Sequence, residues 1–445
     1  MQAQAPKEGF RKKRLLLAGA LLLILAALVL AASLFLNRQP AGEIGPAFAQ
    51  SAASPGAETP RPGAGTSAVS ESAPRSQNQE TDTGSGGAAD VSAASSALPV
   101  SGVDGADALA PASRAETLLA GMTLEEKVGQ MFIARCPETD AARKAADYHL
   151  GGYILFARDF AGKTKEQAAA DIQSYQDAAG IPLLIGVDEE GGTVNRVSLY
   201  PAFRDTPFRS PQSLYRDGGF PAIRSDTLEK CRLLQSLGIN LNFAPVCDVS
   251  TDPADFIYPR AFGQDAAGTA AYVQTVVEAM QEQQMGSVLK HFPGYGNNAD
   301  THTGVAYDNR PYETFVSSDF LPFSAGIKAG ADMVLVAHNI VNCMDSRYPA
   351  SLSPRVHQIL REDLGFAGVI VTDDLYMDGV RDFAGDEQAA VLAVQAGNDL
   401  LCCTDFEIQI PAVLAAVENG TIPESRIDQS VLRILEMKIS LGLLE

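Results

Sequence analysis

Short apolar runs rich in β-branched residues alternate with helical stretches over roughly the last three quarters of the chain, and this alternation constrains the fold most strongly. Eight runs have the length and composition of buried strands: residues 128–134, 152–157, 183–188, 240–245, 287–291, 333–337, 369–373 and 399–403. The main helical stretches are residues 165–179, 227–237, 266–282, 311–329, 354–364, 387–396 and 423–441. Such alternation predicts a parallel sheet with crossover helices. Eight units in roughly 330 residues predict an α/β fold, a closed (β/α)₈ TIM-type barrel.

A doubly wound open sheet is the alternative for the same alternation. That fold holds a dinucleotide with a G-x-G-x-x-G turn after its first strand. No such turn follows residues 128–134. We therefore expect the barrel, and we place it at residues 116–445.

The amino-terminal segment has the pattern of a membrane anchor. Residues 1–14 hold five basic side chains and one acidic side chain, and the 22 residues from 15 to 36 hold no charge. As a helix this apolar run would span about 33 Å, enough for a hydrocarbon core of about 30 Å. The basic flank predicts a cytoplasmic tail at 1–14, a single-pass signal anchor at 15–36 and an extracytoplasmic barrel. The alternative is secretion after signal cleavage, with Ala47-Phe48-Ala49 as the cleavage site.

The composition predicts a linker and argues against one class of partner. Ala, Gly, Ser and Pro supply 38 of the 60 positions from 51 to 110, with no aromatic residue. Such a stretch cannot bury enough apolar surface to offset its ordering entropy, so we predict a disordered linker at 37–115. The net charge of −20 argues against a nucleic-acid partner, because phosphate binding needs basic side chains.

Polar side chains cluster where the predicted strands end. In a TIM-type barrel the carboxyl ends of the strands carry the catalytic and binding residues. The residues at these ends are Asp188-Glu189-Glu190, Asp248, Lys290-His291, His338-Asn339 and Asp373-Asp374. We therefore expect the functional site to draw on these positions.

One stretch holds two of the five histidines. The run from Lys290 and His291 to Gly296 reads K-H-F-P-G-Y-G, and Asp300 and His302 follow it. A carboxylate next to an imidazole selects its tautomer and raises its basicity, which suits a proton shuttle. The alternative is a polar loop in which the histidine only caps a backbone group.

An apolar strand at 369–373 ends in two carboxylates, Asp373 and Asp374. A carboxylate at that position can act as a nucleophile or as a base. The alternative is an N-cap for the following helix, a role that Asp serves well.

Asp188-Glu189-Glu190-Gly191-Gly192, with Arg196 a few residues later, forms a third candidate site, and Arg260 is a weaker cue of the same kind. Carboxylates and Arg hold sugar hydroxyls by charge-assisted hydrogen bonds, and glycines let the backbone approach a ligand. The alternative is a salt-bridged turn.

Several motifs of other enzyme classes are missing. The sequence has no H-E-x-x-H, no paired C-x-x-C, no G-x-S-x-G and no Walker A loop. We therefore expect no metal site, no cofactor, no serine-hydrolase chemistry and no phosphoryl transfer from a nucleotide. The spacing of the six cysteines indicates no disulfide framework, and buried thiols are the expected state, although an extracytoplasmic location permits disulfides.

Taken together, these motifs resemble glycoside hydrolase family 3, and within it the single-domain β-N-acetylhexosaminidases. The resemblance covers residues 116–442. It rests on the opening segment at 122–131, on residues 359–363 with 368–373, and on K-H-F-P-G-x-G followed by D-x-H. The β-glucosidase branch typically lacks that D-x-H and adds a second α/β domain.

The resemblance implies a role for each matching position. It implies the nucleophile at Asp373, the general acid/base at His302 and the partner of that histidine at Asp300. The implied sugar-binding residues are Asp188, Arg196, Arg260, Lys290 and His291. The implied mechanism is a retaining double displacement. Tyr295 and Tyr376 depart from the family pattern, which commonly has His and a small residue at these positions.

Family and topology together imply a substrate. A barrel tethered outside the cytoplasmic membrane faces the cell wall, so we expect hydrolysis of terminal N-acetyl-β-glucosamine from peptidoglycan fragments or related glycans. The alternatives are a β-glucosidase or β-xylosidase, an N-acetylglucosaminide phosphorylase that uses phosphate in place of water, and a non-catalytic domain that binds wall glycans. The expected partners are thus a carbohydrate and, through the anchor, the membrane.

Overall fold

The computed structural model describes residues 113–298 and 306–444, and its first helix begins at Arg114. Ser113 and Glu116 form a capping box that starts this helix, two residues before the predicted start of the barrel. The predicted tail, the predicted anchor and the predicted linker up to residue 112 lie outside the described residues and stay predictions. Within the described ranges, no helix is both long and apolar enough to cross a bilayer.

Eight parallel strands form the central sheet, and two short strands form a separate small sheet. The strands are β1 Phe132–Arg135, β2 Gly152–Leu155, β3 Leu184–Val187, β4 Leu241–Asn242, β5 Gly286–Phe292, β6 Tyr307–Asp308, β7 Met333–Val336, β8 Ile340–Val341, β9 Val369–Thr372 and β10 Leu401–Cys403. The central sheet has the order β10-β1-β2-β3-β4-β5-β7-β9, and β6 pairs with β8. A parallel bridge between Val371 and Leu400 joins the two edge strands. The architecture is an eight-stranded, parallel near-barrel, consistent with the predicted TIM-type barrel.

Helices connect successive strands of this sheet. The α-helices are Arg114–Ala120, Leu124–Gln130, Ala141–Asp147, Ala157–Phe160, Lys165–Ala178, Pro211–Gln235, Ala266–Glu282, Tyr312–Thr314, Phe320–Lys328, Pro354–Gln358, Asp378–Ala384, Asp386–Ala396, Phe406–Glu418 and Glu424–Ser440. Two π-helical turns, Phe315–Asp319 and Ile359–Asp363, and one 3₁₀ turn, Ala350–Leu352, complete the set in the described residues.

The predicted first strand at 128–134 is wrong over its first four residues. Thr123 and Glu126 form a capping box, so the helix that begins at Leu124 continues to Gln130, and β1 begins only at Phe132. The side chain of Gln130 then donates hydrogen bonds to the carbonyls of His149 and Leu150. Local capping thus overrides the apolar run that suggested an early strand.

Other predicted boundaries shift for local reasons. The predicted helix at 227–237 ends two residues earlier and is the last part of a longer helical segment, Pro211–Gln235, which kinks at Gly219, where φ is 63°. A positive φ of this size is open to glycine at little steric cost. The predicted strands at 240–245 and 399–403 shorten to Leu241–Asn242 and Leu401–Cys403.

All six cysteines lie in the described part of the chain, and all six are free thiols. Five are buried, as expected, and Cys343 is exposed. Burial raises the pKa of the Cys247 and Cys402 thiols well above the ordinary value, so these groups behave as small apolar side chains.

A buried carboxylate joins the two edges of the sheet at the amino end of β10. Asp399 is fully buried, and its carboxylate accepts hydrogen bonds from the backbone N–H of Ile370 (3.0 Å) and from Ser430 Oγ (3.0 Å). Arg433 pairs with it at 3.0 Å, and Arg361 also donates to it. These contacts tie β9, β10 and the carboxyl-terminal helix together.

Removal of this carboxylate is expected to destabilise the fold. Asp399→Ala leaves three partly buried guanidinium groups, those of Arg361, Arg426 and Arg433, without their buried anion, so we expect the free energy of unfolding to fall by about 3 kcal/mol. Urea denaturation measures this change. Asp147→Ala is the matched control, because Asp147 forms only an exposed ion pair with Arg143, which contributes about 0.5 kcal/mol or less. Equal losses in the two variants would contradict the role of Asp399.

Candidate active site

A polar cavity of about 390 Å³ lies at the carboxyl ends of the central strands. Six of the residues selected from the sequence line it together: Asp188, Arg196, Arg260, Lys290, His291 and Asp373. They come from the ends of β3, β5 and β9 and from two connecting loops, so residues far apart in the chain meet here. This is the position at which TIM-type barrels hold their functional residues.

The ammonium group of Lys290 lies at the centre of the charged wall of this cavity. Its side chain is 2% exposed, and Nζ lies 2.7 Å from Asp188 Oδ1 and 2.6 Å from Glu190 Oε1. A buried cation needs such partners, because its desolvation is otherwise strongly unfavourable. Lys290 therefore fixes the carboxylates that follow β3 against the end of β5.

Glu190 completes this network, although the family resemblance assigned no role to it. Arg260 binds its carboxylate through two hydrogen bonds, at 2.8 and 3.1 Å. Burial would raise the pKa of Glu190, but the charges of Lys290 and Arg260 outweigh burial and hold that pKa well below its usual range. The available signal was its place in the Asp188-Glu189-Glu190 run at a strand end.

The geometry of His291 defines its tautomer. Arg260 Nη2 lies 3.0 Å from His291 Nε2, and a guanidinium can only donate, so Nε2 is the acceptor. His291 Nδ1 then carries the proton and donates it to Asp248 Oδ2 at 2.7 Å. Asp248 also accepts the backbone N–H of Tyr295 at 2.7 Å. His291 therefore orients Arg260 and links it to the loop that follows β5.

Glu189 holds the loop that carries Arg196. It is fully buried, and its carboxylate accepts the backbone N–H groups of Arg196 (2.8 Å), Val197 (2.8 Å) and Ser198 (3.2 Å). The hydroxyl of Ser198 donates to the same carboxylate. A salt bridge of 4.0 Å then joins Arg196 to Asp188.

The two carboxylates after β9 have different surroundings. The Asp373 carboxylate lines the cavity and accepts the backbone N–H of Asp374 at 2.9 Å. The Asp374 carboxylate accepts the hydroxyl of Thr404 (2.8 Å) and the backbone N–H of Tyr376 (3.0 Å), which fixes the loop. The N-cap of the following helix is Met377. The N-cap interpretation of these aspartates is therefore wrong.

Asp300 and His302 lie outside the described residues, and their pairing stays a prediction. The described residues on either side of this segment are linked by hydrogen bonds. Asn298 donates to Asp308 at 2.7 Å, and Arg310 donates to Asp308 at 2.8 Å and to the carbonyl of Gly294 at 3.0 Å. Within residues 113–298 and 306–444, no group of three or more His, Cys, Asp or Glu side chains could hold a metal ion.

The charged network makes stability depend on pH. Because the pKa of Glu190 is lowered in the folded chain, its stabilising effect is fully present above the ordinary value of 4.5 and is lost as the pH falls below it. We expect Glu190→Gln to lower the free energy of unfolding by about 2 kcal/mol or more at neutral pH. The difference from the wild type should shrink from about pH 5 to about pH 3.

Urea denaturation over a pH series measures this difference. Glu138→Gln is the control, because Glu138 is 76% exposed and pairs with Arg158 at the surface. A difference between wild type and Glu190→Gln that stays constant as the pH falls would contradict the prediction.

The comparisons with known proteins agree on one family. The model of the "Glycosyl hydrolase family 3 N terminal domain" matches residues 123–437. The "Beta-hexosaminidase" of Xanthomonas campestris pv. campestris (strain B100) is 35% identical over 279 residues, which covers 61% of this chain and 82% of the relative. "Beta-hexosaminidase LpqI" of Mycobacterium tuberculosis is 31% identical over 326 residues, which covers 70% of this chain and 82% of the relative.

Solved structures share the fold. A family 3 β-N-acetylglucosaminidase from Paenibacillus sp. str. FPU-7 matches with a TM-score of 0.68 at 32% identity, over 72% of this chain and 63% of that protein. The chain thus spans less than two thirds of that structure. "Beta-glucoside phosphorylase BglX" matches with a TM-score of 0.66 at 22% identity, over 74% of this chain and 60% of that chain, a likeness that shows the fold alone.

Proposed function

Because the chain belongs to glycosyl hydrolase family 3, we propose that it is a retaining exo-β-N-acetylhexosaminidase that removes terminal N-acetyl-β-glucosamine. The names of the relatives support this substrate, since they are β-hexosaminidases at 35% and 31% identity. One structural observation carries the proposal: the Asp373 carboxylate lines the same cavity as the Asp188, Lys290 and Arg260 network. A carboxylate beside a set of sugar-binding groups is the arrangement that a retaining glycosidase needs.

The network suits recognition of sugar hydroxyls. The Asp188 and Glu190 carboxylates offer acceptors, and Lys290 and Arg260 offer donors, all held by mutual ion pairs. Because these groups are already fixed, binding the sugar requires little further ordering of side chains. We propose that Asp188, Arg196, Arg260, Lys290 and His291 hold the terminal sugar, with Glu190 fixing the two cations.

Asp373 is the proposed nucleophile. Its carboxylate attacks the anomeric carbon, the glycosidic bond breaks, and His302 donates a proton to the leaving oxygen. Water then gives a proton to His302 and attacks the same carbon, which releases the sugar with retained configuration and frees Asp373. The proton-transfer roles of His302 and Asp300 rest on the family resemblance.

A histidine acid/base leaves one alternative open within the family. A neutral imidazole does not repel an incoming anion, so phosphate can compete with water for the glycosyl-enzyme. Phosphorolysis is therefore the second candidate reaction, and the appearance of a sugar 1-phosphate in phosphate buffer would identify it.

The predicted location of the barrel outside the membrane narrows the choice of natural substrate. We propose that the apolar run at 15–36 is a single-pass anchor, with residues 37–115 as the tether, and that the barrel acts outside the membrane on peptidoglycan fragments. Secretion after cleavage remains the alternative location. A β-glucosidase and a non-catalytic glycan-binding domain are the alternatives for the barrel itself.

Hydrolysis of two aryl glycosides by the full-length chain tests the proposal. We expect aryl N-acetyl-β-glucosaminide to be cleaved with a higher kcat/KM than aryl β-glucoside. Asp373→Asn should lower kcat by at least about 10⁴-fold, because the variant lacks the nucleophile. Asp382→Asn is the matched control, an exposed aspartate beyond the active-site cavity, and its activity should equal that of the wild type.

Each other outcome points to a different function. If the aryl β-glucoside is the better substrate and Asp373→Asn abolishes its cleavage, the proposed substrate is wrong but Asp373 remains the nucleophile. Activity that survives Asp373→Asn would refute the proposed mechanism. Binding of wall glycans without turnover of either substrate would favour the non-catalytic domain.

A further inference from the structure

A helical segment outside the active-site cavity contacts the backbone behind the charged wall of that cavity. Among the described residues that line the cavity, none belongs to this segment, Pro211–Gln235. Two of its polar side chains, Lys230 and Gln212, nevertheless hydrogen-bond to the loops that carry Glu190 and Arg260. Glu190 and Arg260 are themselves joined by an ion pair of 2.8 Å. The segment therefore reaches both halves of one ion pair from outside the cavity.

The ammonium group of Lys230 is buried behind the turn that follows β3. Lys230 is 8% exposed, and its Nζ donates to Asp226 Oδ2 at 2.7 Å and to the carbonyl oxygen of Glu190 at 3.2 Å. The centroid of the Phe208 ring lies 5.2 Å from the same nitrogen, so an aromatic face also contacts the cation. Hydrogen bonds from a charged donor are stronger than neutral ones. Lys230 therefore holds the backbone of Glu190 firmly against the helical segment.

The turn after Glu190 comes close to Lys230 because two glycines form it. Gly191 and Gly192 have φ of 97° and 68°, a conformation that is open to glycine at little steric cost. A Cβ at Gly191 would lie 2.3 Å from the carbonyl oxygen of Arg209 and 3.4 Å from Lys230 Nζ. The turn thus packs directly against the helical segment and the residues before it, and the position of the Glu190 backbone depends on this contact.

The side-chain amide of Gln212 holds the loop that carries Arg260. Its Nε2 donates to the carbonyl oxygens of Tyr258 at 2.7 Å and Ala261 at 3.0 Å, on either side of Arg260. Gly263 permits this approach, because a Cβ there would lie only 3.0 Å from Gln212 Cδ. One side chain therefore fixes the backbone before and after the arginine.

We propose that Lys230 and Gln212 are positioning residues for sugar binding. They hold the backbones of Glu190 and Arg260 at the separation at which these two side chains pair and receive the terminal sugar. This inference rests on the proposed glycosidase function, and it assigns part of the sugar binding to side chains that do not touch the sugar. Loss of either contact weakens binding more than bond cleavage, because Asp373 follows β9 and is held by the backbone there.

Two variants of the full-length chain remove these contacts without leaving a buried charge unpaired. Lys230→Met/Asp226→Leu replaces the buried ion pair by apolar side chains of similar size, an exchange that proteins often tolerate. Gln212→Met keeps the length of the side chain and removes the amide. For each variant we expect KM for aryl N-acetyl-β-glucosaminide to rise by about tenfold, with kcat changed by less than about threefold.

The matched controls lie before the strands begin, away from the cavity. Gln176 is half-buried, and its Nε2 donates to the carbonyl oxygen of Leu183, just before β3, at 3.0 Å. Lys127 is 12% exposed and pairs with Glu424 at 2.9 Å. Gln176→Met and Lys127→Met should keep the wild-type KM and kcat, even if they lower the melting temperature.

A double-mutant cycle with Glu190→Gln separates positioning from a general loss of structure. If Lys230 and Gln212 act through the Glu190 ion pair, either variant should raise KM by less than about twofold when Glu190→Gln is already present. The same cycle in urea denaturation at neutral pH requires no turnover. There, Glu190→Gln should shift the urea midpoint of either variant by less than about half of its shift in the wild type.

Several results would overturn the inference. These are an unchanged KM in either variant, a fall in kcat as large as the rise in KM, an equal rise in KM in the controls, or effects on KM that multiply in the Glu190→Gln background. If the wild type cleaves the aryl glycoside and one of these results is found, this inference alone fails. If the wild type cleaves neither aryl glycoside, the proposed function fails, and the denaturation cycle decides whether the two side chains hold the ion pair.

Discussion

The burial of the Lys290 ammonium is the constraint on which the arrangement of the site depends. At 2% side-chain exposure it cannot rely on water, so two carboxylates from the loop after β3 must face it. That requirement brings the ends of β3 and β5 into one charged wall. Arg260 then binds the far side of Glu190, and His291 and Asp248 hold Arg260. The cavity is therefore organised before any ligand arrives.

The two ends of the sheet use buried charge in different ways. At the amino end, Asp399 is surrounded by arginines and hydrogen-bond donors, and all of these contacts serve to hold β9, β10 and the carboxyl-terminal helix together. At the carboxyl end, the paired side chains of Asp188, Glu190, Arg260 and Lys290 also line the active-site cavity. The separation matches the general division of labour in barrels, with stability at one end and chemistry at the other.

The sequence by itself determined the alternation of strands and helices, the barrel and the positions of Asp188, Lys290 and Asp373 at strand ends. These signals are local, because apolar runs and their polar ends are read within a few residues. Helix capping, also local, explains where the first strand begins, although the apolar run suggested otherwise. Only the tertiary structure decided the partners: Glu190 with Arg260, His291 with Asp248, and Arg135 with Phe156. These pairs join distant segments, and their selection depends on which side chains the closed sheet buries together, a property that no single stretch of sequence contains.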